Sequence, residues 1–177
     1  KALPDSVLSP RYYIEKGFNF IPPKPLEPKP ESISEPLRDQ KFANLLVKSP
    51  LILPTGDTTM LERLDSSLLL IDFWYMSCPP CIKAMPYLQN LEKKYGPRGL
   101  KLIGINCQDI ENKASVARKL NEIGIQYTNY FIEKVYSKTL DIKGYPTMIL
   151  LNKNREVIAS GLGRIENLEF LIEKELK

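Results

Sequence analysis

The chain has 177 residues, 43% hydrophobic and 26% charged, which is enough for one domain with a proper core and is an ordinary globular composition. Its formal charge of +4 is small, and its lysine and arginine residues are scattered among aspartate and glutamate. This pattern indicates a solvated surface and argues against nucleic-acid binding. With no histidine and three cysteines, it lacks imidazole metal ligands and histidine-activated nucleophiles and can form at most one internal disulfide.

No leader or membrane span is recognisable in the sequence. No apolar run approaches the ~20 residues that a transmembrane helix needs, and the chain starts at Lys1 without a signal peptide. We therefore expect that a leader was removed or that the chain is a piece of a longer one. The sequence leaves open an anchor upstream of Lys1.

Residues 1–48 are predicted to be a proline-rich N-terminal extension or linker, and residues 49–177 the main domain. Ile21–Pro36 is rich in proline and charge, which predicts an extended, polyproline-like segment. We interpret it as a linker or a strap lying over the domain. A docking segment or the tail of a preceding domain is the alternative. Leu37–Val47 is expected to form a short helix.

The main domain is predicted to begin with a β-hairpin, in which Leu51–Leu53 and Thr58–Met60 flank a turn. The apolar run Leu68–Trp74 then predicts a buried strand. After it, apolar residues recur at helical spacing. Two cysteines therefore stand where a strand is followed by a helix.

That position favours thiolate chemistry. The first turn of a helix offers unpaired N–H groups and the positive end of the helix dipole, and both stabilise an anion. We expect Cys78 to be the nucleophile of disulfide exchange and Cys81, one turn later, to resolve the mixed disulfide. The alternatives are a structural cysteine pair or half of a zinc site. Zinc needs about four ligands, and the sequence supplies only one further cysteine.

The two prolines between the cysteines have a consequence of their own. Proline is tolerated in a first helical turn, but Pro79 and Pro80 remove two possible hydrogen-bond donors to the Cys78 sulfur, and the Cys81 N–H remains. This predicts a less stabilised thiolate, and hence a more reducing couple, than a CxxC motif with free N–H groups would have.

The remainder of the chain alternates between predicted strands and helices and ends in a hairpin and a helix. Cys107, after one of these strands, is interpreted as a small buried hydrophobe, with a regulatory or third redox thiol as the alternative. The order implies a mixed central sheet covered by helices on both faces. The predicted elements are a strand Leu100–Asn106, a helix from Ile110 to about Ile123 capped by Asp109, a strand Tyr127–Ile132, a helical Glu133–Leu140, strands Thr147–Leu151 and Arg155–Ser160, and a helix Ile165–Leu176.

At these motifs the chain resembles the thioredoxin superfamily and, within it, the TlpA/ResA-like thiol-disulfide oxidoreductases of bacterial envelopes. The resemblance covers about residues 49–177 and implies a thioredoxin-like α/β fold with the motif strand at its centre. Its motifs are Asp72-Phe73-Trp74, Cys78-Pro79-Pro80-Cys81, Pro86 in the following helix, and Gly144-Tyr145-Pro146-Thr147.

The resemblance also implies roles for residues around the cysteines. Pro146 would be cis and lie beside the CxxC motif, and Tyr145 would offer backbone groups to an extended substrate. Pro146 merely starting a strand is the alternative. Asp72 would lie beneath Cys81 and relay a proton. The alternative is a carboxylate at a strand edge that is solvated or hydrogen-bonded; if Asp72 is buried, its pKa should rise. Trp74 is expected to be core-packed beside the motif.

Two positions depart from the family pattern. Ser77 stands before the first cysteine, where the family usually has tryptophan, and this puts substrate specificity in doubt but not the chemistry. Ala84 replaces a glutamate that some ResA-like proteins carry three residues after the second cysteine. Transfer of their acid–base details is therefore unsafe.

The function implied is that of a thiol-disulfide oxidoreductase needing no cofactor or metal beyond the redox-active disulfide Cys78–Cys81. It would reduce protein disulfides, cytochrome apoproteins among them, with an upstream thiol electron donor. It would work in the periplasm or another extracytoplasmic place, with any membrane anchor outside this chain. The alternative is a non-enzymatic interaction module that docks a partner through its N-terminal segment. A peroxiredoxin-type peroxidase fits less well, because Tyr75 stands where those enzymes place threonine.

Overall fold

The computed structural model describes residues 40–177. The predicted proline-rich extension and the first residues of the predicted helix Leu37–Val47 lie outside this range. Seven strands of the described part form one sheet: β1 Leu51–Ile52, β2 Thr58–Thr59, β3 Leu68–Trp74, β4 Leu100–Asn106, β5 Thr128–Phe131, β6 Thr147–Asn152 and β7 Val157–Leu162. The α-helices are α1 Gln40–Val47, α2 Pro79–Tyr95, α3 Lys113–Glu122, α4 Lys134–Thr139 and α5 Leu168–Glu175.

The strand that precedes the cysteines lies inside the sheet, whose order is β2-β1-β5-β4-β3-β6-β7. β3 is parallel to β4 and antiparallel to β6, and Asp72 stands opposite Gly104 on one side and Met148 on the other. All seven residues of β3 are buried, as its unbroken apolar run predicts. The predicted mixed sheet and the central place of the motif strand are confirmed.

Alternate residues of β3 point into two separate cores. Leu68, Leu70 and Trp74 join a cluster that also holds both motif cysteines and residues of α2, α3 and α5. Leu69, Ile71 and Phe73 join a second cluster with residues of α1 and the segment around α4. Because successive strand residues face opposite sides of a sheet, helices cover both of its faces, as predicted.

Three predicted elements begin at other residues than expected, each for a local reason. Asp109 does not cap the helix with its side chain; its carboxylate binds elsewhere, and a 3₁₀ turn, Ile110–Asn112, precedes α3. β7 begins at Val157 rather than Arg155, because Arg155 has a left-handed φ of 63° that still belongs to the turn. α5 begins at Leu168 rather than Ile165, since Asn167 before it is also left-handed, with φ 52°.

Helix α1 contributes to the second core. Phe42, Ala43 and Leu46 are buried in or beside the cluster that contains Leu69 and Ile71. The predicted boundary after residue 48 stays a prediction, and this packing favours placing the boundary before Gln40.

Candidate active site

Both motif cysteines lie at the junction of β3 and α2. Cys78 is the residue that caps α2 and has extended backbone angles (φ −103°, ψ 96°), and Cys81 lies in the first helical turn. Their Cα atoms are 5.3 Å apart and a disulfide joins them. Cys81 is fully buried and Cys78 is 2% exposed.

The hydrogen bonds at the start of α2 match the pattern that the two prolines predict. Pro79 and Pro80 occupy the first two helical positions and have no N–H to donate. The Cys81 N–H donates to the Cys78 sulfur over 3.3 Å, as an N-cap residue accepts from the third helical position. The Cys78 sulfur therefore receives one backbone donor where a helix start can provide two.

The loop between β3 and α2 is fixed from the neighbouring strand, which the sequence reasoning did not foresee. A carboxylate oxygen of Asp109 accepts the Met76 N–H at 2.6 Å and the Asn106 side-chain N–H at 2.9 Å. Asn106 in turn accepts the Asp109 backbone N–H at 2.8 Å. The sequence signal for this contact was an asparagine at the end of an apolar strand, three residues before an aspartate. The structure shows that this asparagine is fully buried.

The Tyr145–Pro146 peptide bond is cis, as the resemblance predicts. Pro146 is buried and Tyr145 half-buried. The Tyr145 ring meets the Tyr75 ring edge to face, with centroids 5.2 Å apart and an interplanar angle of 84°. Both rings pack against the core cluster that contains Cys78 and Cys81. The late proline segment and the cysteine loop therefore meet through two tyrosines, of which the sequence predicts only Tyr145 as a site residue.

Asp72 is fully buried on the strand that leads to the cysteines. Neither carboxylate oxygen has a hydrogen-bond partner among the described residues, and burial raises the pKa of Asp72 from 3.8 to about 7. By strand alternation it shares the sheet face of Leu70 and Trp74, which is the face covered by α2. The alternative, a carboxylate at a strand edge that is solvated or hydrogen-bonded within the described residues, is therefore wrong, and the predicted rise in pKa is confirmed.

The other predicted residues differ in exposure. Trp74 is fully buried in the same cluster as the cysteines, as predicted. Pro79 and Pro80, between the two cysteines, have exposed side chains.

Cys107 is a free, buried thiol, and burial raises its pKa to about 12, which agrees with a small buried hydrophobe. Whether it also has a redox role stays a prediction.

Within residues 40–177 no group of three or more cysteine, aspartate or glutamate side chains is arranged to hold a metal ion. In the same range no helix is both long enough and apolar enough to span a bilayer.

Comparisons with known proteins agree with the motifs and the fold. Residues 66–157 match a family described as thioredoxin-like. The chain is 28% identical over 105 residues to the thiol-disulfide oxidoreductase ResA of Halalkalibacterium halodurans, covering 58% of each protein. It is also 28% identical over 123 residues to ResA of Bacillus anthracis, covering 67% of this chain and 69% of that protein.

Solved structures show the same fold. The thioredoxin domain of a thiol-disulfide oxidoreductase from Bacteroides vulgatus superposes with a TM-score of 0.63 at 23% identity, covering 72% of this chain and 92% of that one. A thiol:disulfide interchange protein from a Bacteroides species gives a TM-score of 0.61 at 24% identity, covering 71% and 84%. At such low sequence identities, the superpositions show only that the folds are alike.

Proposed function

The chain belongs to the thioredoxin-like family, and from this membership and the geometry of its cysteine pair we propose that it is a thiol-disulfide oxidoreductase that reduces protein disulfides. The observation that carries the proposal is the Cys78–Cys81 disulfide at the start of α2, with the Cys81 N–H directed at the Cys78 sulfur. A helix start of this kind stabilises a thiolate at Cys78.

The reaction begins from the reduced pair. The Cys78 thiolate attacks one sulfur of a substrate disulfide, and the substrate S–S bond breaks as a mixed disulfide forms. The first substrate sulfur leaves as a thiolate and takes from solvent the proton that Cys78 had lost. The substrate is then held by one covalent bond beside Tyr145, whose backbone groups would bind it as an extended strand.

The second step releases the substrate. The Asp72 carboxylate takes the proton of the Cys81 thiol, and the new Cys81 thiolate attacks the Cys78 sulfur. The Cys78–Cys81 disulfide forms and the second substrate sulfur leaves and is protonated. The substrate has gained two electrons and two protons, and the protein pair has lost them. An upstream dithiol donor must restore the pair. A pKa of Asp72 near 7 suits a group that both takes and returns a proton.

We propose that this reaction takes place in the periplasm or another extracytoplasmic compartment, with any membrane anchor outside this chain. The resemblance to envelope oxidoreductases supports this placement. Cytochrome apoproteins are the clients that we would test first, since their C-x-x-C-H cysteines must be reduced before haem is attached.

Reduction of insulin by dithiothreitol tests the proposal directly. The protein should speed the appearance of insulin-chain turbidity well beyond the rate with dithiothreitol alone, and Cys78→Ser should abolish that gain. Cys107→Ser is the matched control, because it makes the same change at the buried third cysteine and should retain turnover. A wild-type rate no higher than that of dithiothreitol alone would contradict the proposal and favour a non-enzymatic interaction module.

A further inference from the structure

The loop that leads into the reactive cysteine is held by a side-chain oxygen from the next strand segment. Residues 75–77 join β3 to Cys78, and within them the Met76 N–H donates to Oδ2 of Asp109 at 2.6 Å. The same oxygen accepts the side-chain N–H of Asn106 at 2.9 Å. Because both hydrogen bonds use one atom, the neutral oxygen of an amide in its place can accept both donors.

Asn106 fixes the direction of the Asp109 side chain. Asn106 is fully buried at the end of β4, opposite Trp74 of β3 in the sheet register. Its side-chain oxygen accepts the backbone N–H groups of Gln108 at 3.2 Å and of Asp109 at 2.8 Å, while its side-chain N–H donates to the Asp109 carboxylate. The acceptor for the Met76 N–H is therefore placed by a residue of the central sheet.

The hydrogen bond of Met76 holds a loop that contacts both parts of the candidate site. Before Met76, the Tyr75 ring lies edge to face against Tyr145, with centroids 5.2 Å apart, and the Tyr75 carbonyl accepts the Cys78 N–H at 3.2 Å. After Met76, Ser77 is exposed and leads directly into Cys78. The loop therefore connects the cysteine to the segment before the cis proline, along which the proposed function places an extended client.

This anchor matters most in the reduced protein. In the oxidised protein a disulfide ties Cys78 to Cys81, but the form that attacks a client has lost that bond. The position of the loop then depends on packing and hydrogen bonds, and the contact between Met76 and Asp109 joins the loop to the neighbouring strand. A surface that is already ordered spares the cost of ordering it when a client binds.

Resting on the proposed function, we propose that Asp109 is a positioning residue for protein clients. Its Oδ2 atom holds the Met76 N–H, and this contact keeps the Tyr75 ring against Tyr145 as a preformed surface along which the client lies. A small disulfide needs only access to the Cys78 sulfur and makes no use of this surface. The anchor therefore favours protein disulfides over small ones without changing the reactivity of the sulfur.

Removal of the acceptor tests the proposal. Reduced protein would be mixed with insulin or with hydroxyethyl disulfide, and oxidation of the cysteine pair followed by acid quenching and thiol labelling. Asp109→Ala should lower the rate constant for insulin about tenfold, because it leaves the Met76 and Asn106 N–H groups without this acceptor. It should change the rate constant for the small disulfide by less than about twofold, since the Cys81 N–H still stabilises the Cys78 thiolate.

Asp109→Asn is the matched variant that separates the acceptor from its charge. It should retain both wild-type rate constants, because the amide oxygen can accept the same two N–H groups. Hydrogen exchange of the Met76 amide should be slow in the wild type and in Asp109→Asn, and fast in Asp109→Ala. Asp57→Ala removes a carboxylate that accepts the Thr55 hydroxyl in the turn between β1 and β2, at the edge of the sheet, and should match the wild type throughout.

The proposal would be overturned by a wild-type insulin rate constant in Asp109→Ala, by equal losses with insulin and the small disulfide, or by a loss in Asp109→Asn as large as that in Asp109→Ala. Should Asp109→Ala not fold, Tyr75→Leu provides a second reading at a half-buried position. It removes the ring that the anchor holds, so it should slow the reaction with insulin but not with the small disulfide. Wild-type rates with insulin in this variant would contradict the proposal.

The failure of this inference can be told apart from the failure of the proposed function beneath it. Absence of insulin reduction by the wild-type protein removes both. Normal wild-type turnover without a selective effect of Asp109→Ala on insulin removes only the positioning role of Asp109.

Discussion

Asp72 lies in an environment that is unusual for an aspartate side chain. Its carboxyl is fully buried and unpartnered among the described residues, so ionisation is unfavourable, and its pKa rises from 3.8 to about 7. Near neutral pH the group is therefore close to half protonated. This property makes it suitable as an acid and a base for Cys81, and it also links the stability of the fold to pH.

The contribution of Asp72 to the stability of the protein should fall as pH rises from about 4 to about 7. Across this window the folded state keeps the Asp72 proton while the unfolded chain has lost it. Each unit of pH therefore stabilises the unfolded state relative to the folded one and lowers the free energy of unfolding. The loss is at most about 4 kcal/mol, from about 1.4 kcal/mol per pKa unit. Asp72→Asn removes this linkage.

Urea unfolding of the oxidised wild type and of Asp72→Asn at several pH values checks this prediction. The free energy of unfolding of the variant, relative to the wild type, should rise steadily between about pH 4 and 7 and level off above. A difference that does not change with pH would mean that Asp72 ionises normally in the folded protein.

Cys107 should react slowly with alkylating reagents in the native, reduced protein. Burial raises its pKa to about 12, so almost no thiolate is present near neutral pH. Cys78 is no more exposed, but it lies at a helix start that stabilises its thiolate. Mass spectrometry after brief iodoacetamide treatment should find Cys78 labelled well before Cys107. Rapid labelling of Cys107 would instead favour a regulatory or third redox thiol.

At the scale of elements, the start of α2 sets the chemistry of the cysteines. The Cys78 side chain is an N-cap acceptor, which normally receives N–H groups from the second and third helical positions. Pro80 occupies the second position and leaves only the Cys81 N–H. We therefore expect the prolines to weaken thiolate stabilisation at Cys78 while preserving the helix start.

Replacing Pro80 by alanine should make the couple more oxidising. The substitution restores the N–H at the second helical position and so stabilises the Cys78 thiolate of the reduced form. Pro79→Ala is the matched control, because the first helical position does not usually donate to the cap. The reduction potential should rise by roughly 15–30 mV for Pro80→Ala, equivalent to about 1 kcal/mol for a two-electron couple, and change little for Pro79→Ala. Equal shifts in both variants would assign the effect to something other than this N–H.

Elements with strong local signals could be predicted from the sequence, and those set by the neighbouring chain could not. The apolar run of β3 and the helical spacing of α2 located both correctly. Asp109 looked like a helix cap, but the Met76 N–H and the Asn106 amide compete for its carboxylate. Arg155 looked like a strand residue but has left-handed backbone angles in the turn. Local preference gives way to tertiary contacts at such places.

At the scale of the whole molecule, one sheet separates two cores, and only one of them contains the cysteine pair. The face under α2 holds the cysteines, Trp74 and, by strand alternation, Asp72. The opposite face is apolar and includes α1. The cysteine and proline motifs located the reacting groups in the sequence. The packing of the Asn129 and Trp74 side chains against Gly104 could not be located in the same way, because it depends on the register of three strands.

Helix α1 should be part of the folded unit rather than of an appended linker. Leu46 is fully buried in the second core and Leu45 beside it is half-buried. Leu46→Ala should lower the free energy of unfolding by about 2–4 kcal/mol through loss of buried surface and a residual cavity, and Leu45→Ala by clearly less. Urea unfolding measures both. A wild-type midpoint for Leu46→Ala would place the domain boundary after α1, as the sequence alone predicted.

The reduction potential of the Cys78–Cys81 pair tests the central claim most directly, because a pair that only holds the fold together and a pair that exchanges electrons differ in this quantity. Equilibration of the full chain with glutathione or dithiothreitol buffers, followed by acid quenching and thiol labelling, yields the potential. We predict a value in the range of roughly −200 to −270 mV, which is typical of reducing thioredoxin-like couples. A value below about −300 mV would indicate a structural disulfide, and one near −120 mV a strong oxidant; either result would contradict the account.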